Sequence, residues 1–240
     1  MGNEHGEWKI IGTTENSSDC IKSVDDLVEY INEIGFVPLF KNEIPGFSVE
    51  EHTIPDYWWS GDKERDPWEW REIIAANAEI AYGKFFRKKA GFISKNWFPH
   101  FANFRRDGYD FDSRYEDGLA SHRSKRIMDL FETNEEMFSH IAKKQAGFGK
   151  GGEKNFDGVV TSLQMETYLI VTDFQQKKNK AGKPYGWAAA IYTTPENQWG
   201  YDFVTEEYRK SPEESREKIV SYLKERYPMA TEKQIGRIVG

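Results

Sequence analysis

The apolar segments of this chain are short, and glycine, proline or a charged turn closes each one. No run reaches the roughly 18 apolar residues of a membrane-crossing helix. Such punctuation restricts the chain to short helices and strands that must bury their apolar faces against one another. Ser23-Val24-Asp25-Asp26 is a capping box, and Leu27, Val28, Ile31 and Ile34 follow at helical spacing with Gly35 as the stop. Asp66-Pro67 supplies an N-cap and a first-position proline, and Ser211-Pro212-Glu213-Glu214 opens a helix to Tyr227. Helices are also expected over Ser94–Asn103, Asp117–Phe131 and Thr133 to about Ala146. A further one starts at Asp157 or Thr161 and ends near Phe174. Ala81–Phe86 alternates as a strand and leads through Phe92 into a hairpin; Tyr185–Thr193 is a second strand run. The fold class expected is α+β, mainly helical with winged helix-turn-helix elements and short β-hairpins.

The core of such a chain must be aromatic. Only 38% of residues are hydrophobic, but 8 Trp, 12 Tyr and 16 Phe supply large buried areas per ring. One cysteine excludes an intramolecular disulfide framework and a cysteine-rich zinc site. The start, Met1 to Glu15, is polar and acidic, unlike a signal peptide, and Gly6 stands where a myristoylation motif needs Ser or Thr. A cytoplasmic protein without membrane attachment is expected. The net charge of −7 is unevenly spread. Residues 1–83 carry 6 Lys+Arg against 18 Asp+Glu, residues 84–183 carry 19 against 13, and residues 184–240 carry 8 against 9.

Residue types narrow the chemistry. The five histidines, at 5, 52, 100, 122 and 140, lack metal-ligand spacing, so no metal or other cofactor is expected. No G-x-S-x-G elbow is present, and the glycine-rich stretch 147–152 lacks a P-loop ending. Trp58, Trp59, Trp68 and Trp70 sit among acidic residues, either as an aromatic binding face or as packed core. The basic middle holds Lys84, Arg87, Lys88 and Lys89 between phenylalanines, the pair Arg105-Arg106, the cluster Arg123, Lys125 and Arg126, and a turn with Lys177, Lys178 and Lys180. Repeated cations on helix, turn and strand suit phosphate contacts.

Four stretches carry a family resemblance: Ile34–Phe40, Ala81–Ser94, Trp97–Arg106 and Leu163–Tyr192. They resemble the AlkZ-related group, relatives of the AlkZ and YcaQ DNA glycosylases of base-excision repair. The resemblance implies winged-helix units at about 23–110 and 117–200 and a C-terminal helix, within one domain spanning 21–240; residues 1–20 are expected to be a disordered tail. It implies DNA as the partner, with Leu163–Tyr192 as recognition helix and wing. In active members a valine is followed by Gln, an aliphatic residue and Gln or Asp, which position and activate water. The matching residues here are Pro38-Leu39-Phe40, which have no side-chain group for that work. The expectation is a nucleic-acid-binding protein with glycosylase activity lost or remodelled. One alternative is an active glycosylase using a substitute carboxylate, Glu50, Glu51 or Asp56, with His52 nearby. Another is a non-nucleic-acid binding module using the four-tryptophan face.

Overall fold

In the computed structural model, which describes residues 9–179 and 181–240, helix α1 (Val24–Ile34) begins where the Ser23 side chain accepts the Asp26 N–H. It ends at Gly35, whose φ is 80°. A Cβ at Gly35 would lie 2.3 Å from Trp97 Nε1, so both backbone and space require glycine there. Strand β1 (Phe36–Pro38) follows. Helix α2 (Pro67–Ala75) is capped by Asp66, whose carboxylate accepts the N–H groups of Trp59, Gly61 and Trp68. The hairpin β2 (Ile80–Phe86) and β3 (Lys89–Ser94) leads through a 3-10 turn to α3 (Phe98–Arg106).

The second half contains α4 (Phe111–Glu116), α5 (His122–Met128), β4 (Glu136–Phe138), α6 (Ser139–Gln145) and α7 (Phe156–Met165). A long hairpin, β5 (Ile170–Lys178) and β6 (Pro184–Thr193), comes next. Short helices α8 (Pro195–Trp199) and α9 (Tyr201–Val204) lead to α10 (Pro212–Arg226) and α11 (Glu232–Val239), both opened by capping boxes.

The six strands form one antiparallel sheet in the order β1-β3-β2-β5-β6-β4. This is the expected α+β class. β1, β3 and β2 come from the first half and the others from the second. The halves meet at β2 and β5, where the register pairs Tyr82 with Val171. There are two cores, and the larger crosses this line: Ile170 and Val171 of β5 are buried in the same cluster as Ala81 and Tyr82 of β2. The larger is built mostly of isoleucine and phenylalanine: the Phe36 ring centroid lies within 6 Å of those of Phe47, Trp97 and Phe101, with α1, α2, α3, α10 and α11 contributing to the same core. The smaller core, Phe111 to Leu169, holds α4–α7 together.

Several element boundaries differ from the sequence expectation, each for a local reason. The helix expected to reach Phe174 stops at Met165, because Thr167 takes a left-handed φ of 64° and the β-branched residues Ile170 and Val171 pair with β6. The helix expected over Asp117–Phe131 is α5 alone, capped by Ser121 after a turn at Gly118. Glu136, read as part of a capping box, instead begins the edge strand β4. Residues 9–20 of the expected tail run along the Glu50–His52 turn: Thr13 N–H donates to Thr53 O and Ile10 is buried. The rest of that tail, and Lys180, lie outside the described residues.

Candidate functional site

Pro38, Leu39 and Phe40 leave the sheet along a path fixed by backbone bonds. Leu39 N–H donates to Ala90 O, and Glu50 N–H donates back to Leu39 O. Leu39 points into the core, whereas Pro38 and Phe40 line a cavity of about 590 Å³. Ile11, Phe86 and Ile238 complete its apolar wall, and Lys9, Lys41, Glu43, Arg87 and Lys89 contribute polar lining. The volume suits a small ligand.

Among the carboxylate candidates, Glu50 alone lines this cavity, and it is 3% exposed. Its Oε1 accepts the Ile11 N–H at 3.0 Å and its Oε2 the Lys41 N–H at 2.9 Å. Each oxygen is therefore engaged in holding backbone. Glu51 is similarly occupied, accepting from Gly46 N–H and Ser48 Oγ–H. His52 bridges Asp19 and the Gly46 carbonyl through its two ring nitrogens. Asp56 is exposed on a 3-10 turn and is absent from the cavity lining.

A second cavity, of about 450 Å³, shares Phe40 and Lys89 with the first. The β2–β3 hairpin brings Lys84, Lys88 and Lys89 to it. Arg87 and Lys88 form the two-residue turn with positive φ at both positions, 51° and 64°, where asparagine and glycine are the favoured residues. Holding two cations in this conformation costs free energy, which the fold tolerates at this rim. Arg87 itself donates to Glu43, which also receives Arg237 from α11. Burial acts to raise the Glu43 pKa, but the two guanidinium groups outweigh it and hold the carboxyl below its ordinary value.

The other basic candidates are not brought to these cavities. Arg106 is 1% exposed; its guanidinium pairs with Glu196 and donates to Thr167 O. Arg105 donates to Met165 O and Val239 O, so it ties α3 to α7 and α11. Arg123 pairs with Glu153, Lys125 with Asp112, Asp129 and Glu132, and Arg126 donates to Ala146 O. Lys177 and Lys178 stand at the end of β5, on the arm of the long hairpin. Helix α7, expected as the recognition helix, carries no Lys or Arg, and its exposed positions are Asp157 and Ser162. The cations beside it come from the hairpins instead.

The four tryptophans do not share one face. Trp58 and Trp70 are in the core, Trp68 lines the second cavity, and Trp59 is half-exposed. Sequence reading missed three contributors to the second cavity: Arg71 on α2, Tyr82 on β2 and Phe174 on β5. Arg71 stands alone among acidic neighbours in the chain, and no local pattern marks it. It also missed Trp187, 93% exposed on β6 beside a bulge, where Gly186 has a φ of 72°. The alternation Tyr185-Gly186-Trp187 was a usable signal. Among the described residues no group of three or more His, Cys, Asp or Glu is placed to hold a metal ion, and no helix is long and apolar enough to cross a membrane.

Among curated proteins and among solved structures, none matches this chain. A family model described as AlkZ related matches residues 21–240, nearly the whole length and every element of the sheet. With a cavity lying at Pro38 and Phe40, where the chain leaves β1, the chain belongs to the AlkZ-related family.

Proposed function

We propose that this protein binds DNA and receives a base or base-sized group in the cavity at Pro38 and Phe40, without hydrolysing the glycosidic bond. The observation that carries the reading is the state of Glu50. Of Glu50, Glu51 and Asp56 it is the one that lines the cavity beside Pro38 and Phe40, where the resemblance puts the glycosylase machinery, and each of its oxygens accepts a backbone N–H. A general base must be reached by the attacking water, and Glu50 is 3% exposed, held in place by a backbone N–H on each oxygen. The cavity keeps an apolar wall and a cationic rim, which are features of binding. Membership of a DNA-repair, glycosylase-like family supports the choice of DNA. The interface we propose consists of Lys84, Arg87, Lys88 and Lys89 on the β2–β3 hairpin and Lys177 and Lys178 on the β5–β6 arm, with exposed Trp187 beside them. Arg105 and Arg106 belong to the interior and take no part.

Fluorescence anisotropy against labelled duplexes, intact and containing an abasic site, tests the reading at several salt concentrations. Binding that weakens steeply with salt is expected. Excision assays on alkylated duplexes are expected to release no base. Salt-independent binding, or none at low salt, would refute the nucleic-acid assignment; base release abolished by Glu50→Gln would refute the loss of catalysis.

A further inference from the structure

The second cavity has a lining unlike the rest of the surface. Acidic residues outnumber basic ones in the chain, yet the cavity is lined by Arg71, Lys84, Lys88 and Lys89 and by no carboxylate. Aromatic rings, Tyr82 and Phe174 among them, form much of the remaining wall. Arg71 is the unusual member. Its side chain is 8% exposed, and its guanidinium carbon lies 3.8 Å from the Trp68 ring centroid and 4.5 Å from that of Phe174. These rings fix the guanidinium against the cavity wall. Nη2 holds Glu72 Oε1 at 3.0 Å, but Nε is buried without a hydrogen-bond partner. A buried, unpartnered N–H on a cation is costly, and it leaves the guanidinium only partly satisfied by the protein. Burial raises the Glu72 pKa, against the opposing charge of Arg71. A small inorganic anion would satisfy Arg71 but leave the aromatic wall uncovered. A planar ring bearing a phosphate uses both.

We propose that this cavity binds a nucleoside monophosphate unit, with its phosphate on Arg71, Lys84 and Lys88 and its base against Tyr82 and Phe174. The cavity volume of about 450 Å³ accommodates one such unit. The unit is either a free mononucleotide or one nucleotide of a single strand, since both present the same chemistry. The site goes beyond the DNA-binding reading and is separable from it.

Isothermal titration of the full chain with adenosine 5′-monophosphate, adenosine and inorganic phosphate tests the proposal. The monophosphate is expected to bind about tenfold more tightly than either part alone, as its two halves contribute together. Arg71→Lys keeps the charge but loses Nε and the planar fork, and should weaken monophosphate binding about tenfold. The double variant Lys84→Glu, Lys88→Glu alters two exposed side chains, so folding is spared, and should also weaken binding several-fold. Equal affinity for adenosine and its monophosphate, no monophosphate binding at millimolar concentration, or affinity unchanged by both variants would overturn the site. Displacement of the monophosphate by a single-stranded oligonucleotide would identify a strand as the source; persistence would identify the free nucleotide. Duplex binding without monophosphate binding would overturn this site alone, and the reverse would overturn the DNA reading alone.

Discussion

Glu50→Gln replaces one carboxylate oxygen with an amide that can only donate, opposite a backbone N–H that also only donates. The side chain is 3% exposed, so water cannot repair the mismatch. The wild-type oxygens accept from Ile11 and Lys41 at 3.0 and 2.9 Å, which are two charge-assisted bonds. Loss of charge weakens the surviving bond, and the other N–H is left buried and unpaired. Together these cost about 2–5 kcal/mol. In a chain of this size that lowers Tm on the order of 10 °C. Urea denaturation and scanning calorimetry of the two proteins measure it directly. A carboxylate held ready for chemistry behaves oppositely, because its neutral amide removes an unfavourable buried charge. A Glu50→Gln protein within about 0.5 kcal/mol of wild type would therefore refute the reasoning that this residue is a strut.

The double variant Lys84→Glu, Lys88→Glu should reduce the slope of log affinity against log salt for duplex DNA by about 2, one per lost phosphate contact; an unchanged slope would remove that hairpin from the interface. Arg106→Met leaves Glu196 without its partner and should cost about 3 kcal/mol in urea, whereas duplex affinity per folded molecule stays constant. Gly35→Ala forces a Cβ against the Trp97 ring at a left-handed φ and should cost more than about 1 kcal/mol; a neutral result would contradict the packing described. The pKa of His100 is lowered by burial and by Lys218, with Lys210 adding to the effect and Glu207 opposing it. The unfolded chain therefore takes up that proton first, and stability falls as pH drops below about 6.5. His100→Gln should flatten the dependence of the urea midpoint between pH 7.5 and 5.5.

Caps were the most legible part of the fold. Ser23, Asp66 and Ser211 each head the helix their side chains announce, because N-cap chemistry is local. Thr231 with Gln234 carries the same signature and was overlooked, so α11 was missing from the reading. Thr133 shows the limit of such signals: its acid three residues on joins β4, since pairing with β6 outweighs the cap. The Leu163–Phe174 stretch reads as a helix because tyrosine and β-branched residues happen to fall at helical spacing, and the break at Thr167 leaves no mark in composition. Of the candidate site, the cluster Lys84 to Lys89 was visible as a run. Arg71 was not, because its role depends on Phe174, one hundred and three positions later, reaching it across the sheet. Arg105 and Arg106 looked like a phosphate contact and are interior ties; charge alone does not reveal which side of a helix faces water.

The strands of the first half join those of the second at β2 and β5, where the register pairs Tyr82 with Val171. The larger core runs through this line, since Ile170 and Val171 of β5 are buried in the same cluster as Ala81 and Tyr82 of β2, whereas the smaller core lies wholly beyond it. The second cavity straddles this joint, with Lys84 and Lys88 on one side and Phe174 and Tyr192 on the other. An occupant touching both walls adds side-chain contacts across a line where the register pairs one residue with one. The strand on the far side of that line pairs with β6, so the wall of a small pocket and the arm with exposed Trp187 belong to one hairpin.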